Sequence, residues 1–181
     1  NPQWDDGANG SYESVAFRRE QERLVKVPGT VYRNSGDAAK ALSDAPAGKV
    51  FTAEYYVPHL AHATMEPPVA TALVTGDTCE IWTSVQNPQA ALDGVAAQLG
   101  LKPEAVQVHP LLIGGGFGRK SKPDYVTEAA MVAKQMEGTP VKLVWSREDD
   151  LQHDYLHTVS VERLEAVVNA QGRPTTWLHR T

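Results

Sequence analysis

The chain has 181 residues, 41% of them hydrophobic, which is typical of a globular protein with one domain or two small ones. Its formal charge of −5 leaves no basic face for a phosphate backbone and argues against a nucleic-acid partner. The single cysteine, Cys79, excludes an internal disulfide and a cysteine-ligated iron–sulfur cluster within the chain, and no apolar run reaches the roughly 18 residues of a membrane span.

The first 49 residues carry the weakest structural signals. A charged stretch with unevenly spaced apolar residues favours a helix that ends before Pro28, and the sequence TVYR at 30–33 has strand character. A short helix follows, capped by Ser35 or Asp37. The segment 46–49 is then the candidate linker to the rest of the chain.

The next part of the chain is rich in β-branched and aromatic residues. These residues predict three strands, at 50–57, 69–75 and 78–84. The sequence TGDT joins the last two strands and predicts a β-hairpin.

A helix follows these strands, with Asn87 as its N-cap, Pro88 at its first position and Gly100 at its end. The sequence AVQVHPLLI (105–113) then predicts a strand that leads into a glycine cluster. A second helix starts at Asp124, and its apolar face comprises Val126, Ala129, Ala130, Ala133 and Met136.

The C-terminal part predicts a strand at 140–146 and a closing hairpin formed by two long strands that meet near NAQG (169–172). Together these elements predict an α+β fold of mixed sheets with antiparallel hairpins and two or three packed helices. The chain lacks an initial Met and stops within a strand-like stretch, so we expect it to be a piece of a longer protein.

The glycine cluster GGGFG (114–118) is the strongest functional signal. Glycine loses much backbone freedom on folding, so a cluster predicts a close-approaching ligand or a tight turn. The phosphate-binding loop pattern fits residues 114–121 except at Arg119, where it requires glycine, and the dinucleotide-binding pattern also lacks its third glycine. A purely structural glycine turn is an open alternative.

Two other clusters favour structural interpretations. His59, His62 and Glu66 resemble a zinc site only superficially, because prolines bracket the stretch and no helix can bring both histidines to one face. The acidic sequence SREDDLQHD (146–154) follows a strand and predicts a capped helix N-terminus rather than a pair of catalytic acids.

Four segments together resemble the molybdenum hydroxylases, the xanthine dehydrogenase and aldehyde oxidase family. They are AHATMEPPVA (61–70), WTSVQNPQ (82–89), GGGFGRK (114–120) and VWSREDD (144–150). The chain is most similar to the isoquinoline 1-oxidoreductase β subunit or the aldehyde-dehydrogenase-type large subunit, because the xanthine dehydrogenase type mostly carries glycine where this chain has Arg119.

This resemblance implies a molybdopterin-binding large subunit. Residues 1–49 would end a preceding domain or form a connecting segment, and 50–181 would begin the molybdopterin-binding domain. The cofactor would be molybdopterin with molybdenum, in a mononucleotide or cytosine dinucleotide form. The enzyme would hydroxylate an aldehyde or N-heteroaromatic carbon with water-derived oxygen and pass electrons to an iron–sulfur subunit or domain. The compartment, bacterial cytoplasm or periplasm, is left open.

The resemblance also assigns site residues. Gln86 matches the glutamine that donates a hydrogen bond to an oxo ligand of molybdenum, and no residue here is a direct metal ligand. The cofactor-binding loop comprises Gly115, Gly116, Phe117 and Gly118, with Arg119 facing cofactor phosphates. The family's general base is a glutamate far downstream that this chain does not contain, so the chain alone should be inactive. The alternative is a non-catalytic binding or packing module with a structural glycine loop.

Overall fold

The computed structural model describes Gln3, Asp5 and residues 7–181, which form two compact units. The first unit combines the described residues up to His59 with Thr158–Thr181, and the second unit is Leu60–His157. The elements in chain order are α1 (Ser14–Leu24), α2 (Ala38–Ser43), β1 (Val50–Val57), β2 (Val69–Thr75), β3 (Thr78–Thr83), α3 (Pro88–Leu99), β4 (Val106–Pro110), α4 (Asp124–Gln135), β5 (Val141–Val144), α5 (Arg147–Gln152), β6 (Ser160–Val168) and β7 (Pro174–Arg180).

The first unit contains a three-stranded antiparallel sheet in the order β1-β6-β7. Strands β1 and β6 pair along their whole length, from Val50 opposite Val167 to Val57 opposite Ser160. Strands β6 and β7 form the predicted closing hairpin, which is confirmed.

The strand predicted at 30–33 is wrong. These residues lie in the irregular connection between α1 and α2, and Tyr32 there is fully exposed. A strand is stable only when a neighbour pairs with it and one face is covered, and this stretch has neither despite its β-branched and aromatic residues. The short helix α2 is confirmed, with the Asp37 side chain accepting a hydrogen bond from the backbone N–H of Lys40.

The second unit contains a four-stranded sheet in the order β4-β3-β2-β5. Strands β2 and β3 form the predicted hairpin, β5 pairs antiparallel to β2, and β4 runs parallel to β3 after the crossover helix α3. The N-cap Asn87 and the left-handed Gly100 that ends α3 confirm both predicted helix boundaries. The chain therefore has the predicted α+β architecture.

The core of the second unit lies between one face of this sheet and helices α3 and α4. Small side chains of β2 meet small side chains of α4, which lets the helix backbone approach the sheet closely. Four of the five residues predicted on the apolar face of α4 are buried, whereas Met136 caps the helix and is half-exposed. The buried set comprises Ala70, Ala72, Val74, Val126, Ala129, Ala130 and Ala133.

Strands β4 and β5 are shorter than predicted, and in both cases the residues that leave the strand lead into a segment of the candidate site. Strand β4 ends at Pro110 because its partner β3 ends at Thr83, so residues 111–113 leave the sheet. Strand β5 ends at Val144, and Ser146 starts α5 with a reciprocal capping box to Asp149. Among the described residues, no helix has the length and apolar character that a membrane crossing requires.

Candidate cofactor-binding site

The glycine loop (Gly114–Gly118) connects β4 to a single turn of 3₁₀ helix at Arg119–Ser121, just before α4. Gly115 and Gly118 have φ values of 100° and 103°, which side chains with a Cβ rarely adopt. Phe117 has a φ of 53°, an uncommon conformation for a bulky residue. The positive φ values therefore favour glycine at positions 115 and 118, and the Phe117 backbone is strained.

Glu66 and Lys120 support the entry of the loop. The backbone N–H of Gly114 donates to Glu66 Oε2 at 3.0 Å, and the backbone N–H of Glu66 donates to the Gly114 carbonyl at 3.1 Å. The fully buried Lys120 Nζ lies 2.5 Å from the same Glu66 oxygen. Burial acts to raise the pKa of Glu66, but hydrogen bonds from Lys120, Gly114 and Ser84 outweigh it and lower the pKa. Glu66 therefore stays ionised and ties two chain segments together.

Gln86 supports the far end of the loop. It lies three residues after the end of β3, and its backbone N–H donates to the Lys120 carbonyl at 2.9 Å. Its side-chain oxygen Oε1 accepts a hydrogen bond from the backbone N–H of Gly118 at 3.0 Å. A Cβ on Gly116 would lie 2.4 Å from that oxygen, so a larger residue at this position would have to displace the Gln86 side chain. With Oε1 engaged, the Gln86 amide nitrogen keeps its N–H donors for another acceptor.

Three consecutive backbone N–H groups in the loop make no hydrogen bond to another described residue. They belong to Gly115, Gly116 and Phe117. Polar backbone groups at such a place are normally satisfied by water or by a ligand. The Phe117 side chain is 72% exposed, so it is not a core residue. The loop thus has three adjacent backbone donors near Gln86 without a partner among the described residues, with Phe117 exposed, Gly115 partly buried and Gly116 buried.

Arg119 lies beneath the loop rather than on its surface. Its buried guanidinium makes a two-point ion pair with Asp124, at 2.9 and 2.8 Å, and its Nε lies 3.3 Å from Asp154 Oδ1. The guanidinium also lies over the rings of Trp145 and Tyr155, 5.3 and 5.2 Å from their centroids. Burial acts to lower the pKa of Arg119, but the surrounding carboxylates outweigh it and raise the pKa. A contact between Arg119 and the cofactor stays a prediction.

The comparisons with known proteins decide the family. The family model described as "Molybdopterin cofactor-binding domain" matches residues 22–179. The chain belongs to this molybdopterin-binding family. The resemblance drawn from the four sequence segments is therefore confirmed.

Individual relatives agree with this assignment. Over 157 residues the molybdopterin-binding chain is 32% identical to "Membrane-bound aldehyde dehydrogenase [pyrroloquinoline-quinone]" of Gluconacetobacter polyoxogenes, a match that covers 87% of the chain and 20% of that protein. Over 107 residues it is 36% identical to "Isoquinoline 1-oxidoreductase subunit beta" of Brevundimonas diminuta, covering 59% of the chain and 14% of that protein. The chain therefore spans a fifth or less of the length of these relatives.

A solved structure shows a similar fold. The aldehyde oxidoreductase from Desulfovibrio gigas matches with a TM-score of 0.56 and 23% identity, over 75% of this chain and 15% of that one. This likeness shows that the chain shares the fold of part of that enzyme.

Some supporting residues of the molybdopterin-binding chain were not found from its sequence. Glu66 was considered as part of a zinc-like set, and Asp154 was grouped with helix-capping acids. His62 was considered only as a zinc ligand, yet its ring hydrogen-bonds to Asp154, 92 residues away. No local spacing signals a contact at that separation. The only sequence signal was that His62 and Glu66 lie in a segment that resembles the family.

Proposed function

We propose that this chain forms part of the cofactor site of a molybdopterin-dependent oxidoreductase. The observation that carries the proposal is the row of three backbone donors, Gly115 to Phe117, that have no partner in the described part of the chain and lie next to Gln86. Residues 50–181 would begin the molybdopterin-binding domain, and residues 1–49 would end a preceding domain or form a connecting segment. The family match over 22–179 supports the cofactor class.

The residues present fit an oxygen-rich, anionic cofactor. The backbone donors of Gly115, Gly116 and Phe117 offer hydrogen bonds without adding charge, and the missing Cβ atoms allow close contact. Gln86 supplies further uncharged N–H donors from a rigid position between a strand and a capped helix. We assign Gln86 to a cofactor oxo group and the four loop residues 115–118 to the pterin side. Arg119 lies beneath the loop, and we assign it to the support of the loop base.

The proposed reaction is hydroxylation of an aldehyde or N-heteroaromatic carbon with oxygen derived from water. Molybdopterin, when bound, supplies the redox chemistry, while the protein holds and orients the reactants. The names of the two relatives support these substrate classes, since one is an aldehyde dehydrogenase and the other an isoquinoline oxidoreductase. We further propose that electrons leave through an iron–sulfur subunit or domain. The general base would lie in a later part of the same subunit, outside residues 1–181.

The test is to purify the intact protein that contains this chain and to measure its molybdenum, its pterin and its activity. We expect about one molybdenum and one pterin per subunit, and incorporation of ¹⁸O from labelled water into the product of an aldehyde or N-heterocycle. Protein that instead carries pyrroloquinoline quinone, or that lacks any cofactor, would contradict the proposal. The second outcome would favour the non-catalytic module.

A matched pair of glutamine variants tests the site. Gln86→Ala removes the acceptor for the Gly118 N–H and the free amide donors together, and we expect it to lower kcat/KM about 100-fold, the scale of losing one preorganised donor. Gln89→Ala is the control, because Gln89 lies three residues on and only bonds Asp93 on the exposed face of α3. Equal activities of the two variants would show that Gln86 does not contribute to the site.

A further inference from the structure

Residues 63–66 form the segment against which the entry of the glycine loop is held. The Glu66 backbone N–H donates to the Gly114 carbonyl, and the Gly114 N–H donates back to the Glu66 side chain. Thr64 is 1% exposed, and its Oγ1 donates to the Glu66 carbonyl at 2.7 Å. A Cβ built on Gly115 would lie 3.6 Å from the Thr64 Cβ, which is ordinary van der Waals contact. A shift of residues 63–66 would therefore shift Gly114 and Gly115.

The backbone at the start of this segment is strained. Ala63 has a φ of 43°, in the left-handed region that residues with a Cβ rarely adopt. Its side chain is exposed, so burial of the methyl group does not offset the strain. Strained backbone persists only where the surrounding structure holds it. Both neighbours of Ala63 are held, because the His62 backbone N–H donates to Asp154 Oδ2 at 2.6 Å and the Thr64 carbonyl accepts from Arg147.

Arg147 is the first residue of α5 and joins this helix to residues 63–66. Its Nη2 donates to the Thr64 carbonyl and lies 3.5 Å from the Met65 carbonyl, while its Nη1 donates to Asp150 Oδ2. Asp150 is 1% exposed, so its carboxylate fixes the guanidinium from the protein interior. A guanidinium presents its donors in a rigid planar fork, which lets one side chain hold a carboxylate and a carbonyl at once.

We propose that Arg147 is a positioning residue of the cofactor site, which holds residues 63–66 in their strained conformation and thereby fixes Gly114 and Gly115 for the bound group. This inference rests on the proposed function and deepens it. Arg147 acts through the Thr64 and Met65 carbonyls rather than by direct contact with the cofactor. Its loss should therefore displace the site without unfolding the core of the second unit.

Three changes at Arg147 test its contacts. Arg147→Met keeps an apolar stem and removes every donor. Arg147→Lys keeps the charge, but an ammonium lacks the planar fork that meets both partners. Arg147→Met combined with Asp150→Asn leaves no buried charge unpaired, so it continues the test if the single Met variant folds poorly. Arg163→Met is the control, because Arg163 also joins two groups, Glu54 and Glu165, but lies in the first unit.

The first readout is hydrogen exchange of the intact protein, followed in peptides that cover Glu66 and Gly114. Both amides are hydrogen-bonded across the contact that Arg147 is proposed to hold. We expect Arg147→Met to accelerate their exchange about tenfold, the scale of one charge-assisted hydrogen bond, and to leave α4 unchanged. The double variant should behave in the same way, Arg147→Lys should lie between it and the wild type, and Arg163→Met should match the wild type.

The second readout is kcat/KM per bound molybdenum in the intact enzyme. We expect Arg147→Met to lower it about 100-fold, the effect of misplacing a site by about 1 Å, and Arg147→Lys to lower it less. Arg163→Met should leave it unchanged. A residue that only stabilised α5 would reduce the amount of folded enzyme but not the kcat/KM of molecules that keep their molybdenum.

Ala63→Gly gives a test that depends on the backbone strain. Glycine adopts positive φ readily, so residues 63–66 would need Arg147 less to keep their conformation. Added to Arg147→Met, we expect Ala63→Gly to restore kcat/KM about fivefold and to slow exchange at Gly114, since a left-handed φ costs a residue with a Cβ that much in population. Ala47→Gly, an exposed alanine without a positive φ, is the control and should restore nothing.

The outcomes separate this inference from the proposed function. Wild-type kcat/KM per molybdenum in Arg147→Met, equal acceleration of exchange at Gly114 and in α4, or no recovery with Ala63→Gly would each overturn the role of Arg147 and leave the proposed function intact. Loss of molybdenum from Arg147→Met with α4 exchange unchanged would support the role. If neither Met variant folds, the same comparison of Gly114 with α4 in Arg147→Lys decides. A wild type without molybdenum and pterin contradicts both proposals.

Discussion

Gly116 is the glycine of the loop whose Cβ would contact Gln86. Its Cβ position is 2.4 Å from Gln86 Oε1 and 2.5 Å from the side-chain carbon that bears it. We predict that Gly116→Ala displaces the Gln86 amide and breaks its bond to Gly118. Misplacement of a positioning group by about 1 Å lowers rates about 100-fold, and we expect a loss of that size in kcat/KM of the intact enzyme.

Gly29→Ala is the matched control for Gly116→Ala. A Cβ on Gly29 meets no atom within 4 Å, and its φ lies outside the range that disfavours side chains. This variant should keep wild-type kcat/KM and cofactor content. If Gly116→Ala also keeps them, the contact between Gly116 and Gln86 does not position the site.

The Lys120–Glu66 pair makes the entry of the loop sensitive to charge. Lys120 is fully buried, whereas the Glu66 side chain is one-third exposed. We predict that Glu66→Gln is the more damaging single change, because it leaves a buried ammonium without a counter-charge. Breaking a buried pair in this way costs about 3 kcal/mol, so hydrogen exchange of the Ser121 and Lys122 amides should accelerate about 100-fold.

Two further variants complete this comparison. Lys120→Met removes the buried charge and leaves a carboxylate that water can reach, so exchange should accelerate less than in Glu66→Gln. The double variant should recover part of the loss, because neither charge then remains. Additive effects of the two single changes would show that the pair does not couple.

At the scale of elements, helix α3 fixes Gln86, because its N-cap Asn87 is the next residue. The Asn87 side chain accepts a hydrogen bond from the backbone N–H of Ala90 at 3.1 Å and caps the helix. We predict that Asn87→Ala destabilises the first turn of α3 by about 1 kcal/mol and that Asn87→Ser largely preserves it. Hydrogen exchange of peptides that cover residues 86–92 measures this, and a drop in kcat/KM should accompany the Ala variant.

Asp37 provides a control cap in the first unit. Its side chain caps α2 in the same manner, accepting from the Lys40 backbone N–H at 2.9 Å. Asp37→Ala should loosen α2 by a similar amount without changing kcat/KM. Comparable losses of activity in Asn87→Ala and Asp37→Ala would indicate a general stability effect rather than displacement of Gln86.

The elements that could be predicted from sequence are those with strong local determinants. Asn87, Pro88 and Gly100 define α3 through capping chemistry that acts within a few residues, and TGDT defines a hairpin in the same way. The strand at 30–33 failed because its residues have strand propensity but no partner. The end of β4 was missed for a related reason, since the length of β3 determines it.

The candidate site shows the same contrast between features with local sequence determinants and features that depend on distant residues. The glycine loop and Gln86 could be identified because each lies within a short, recognisable segment. Their mutual contact, Gln86 Oε1 to the Gly118 N–H, joins positions 32 residues apart and follows only from the sheet that brings β3 and β4 together. The burial of Arg119 and Lys120 was not expected either, because basic residues usually face solvent and two of their carboxylate partners, Asp154 and Glu66, are distant in sequence.

At the scale of the whole molecule, acid should weaken the supports of the loop together. Glu66 and Asp154 both have lowered pKa values in the folded chain. A lowered carboxyl pKa contributes stability that is present above the unfolded pKa, near 4.5 for Glu66 and 3.8 for Asp154, and is lost as the pH falls through the folded pKa. Below that range the 17 Lys and Arg residues and 6 His residues also repel one another.

We therefore predict that the loop exchanges rapidly below about pH 4 while α3 and α4, whose core is apolar, stay protected to lower pH. Hydrogen exchange of the intact protein between about pH 3 and about pH 7, corrected for intrinsic rates, measures both regions. Asp154→Asn should bring rapid exchange of residues 111–122 to neutral pH, because His62 and Arg119 lose the carboxylate they share. Simultaneous loss of protection in the loop and in α4 as the pH falls would contradict this order, since it would mean that the carboxylates support the whole unit rather than the loop.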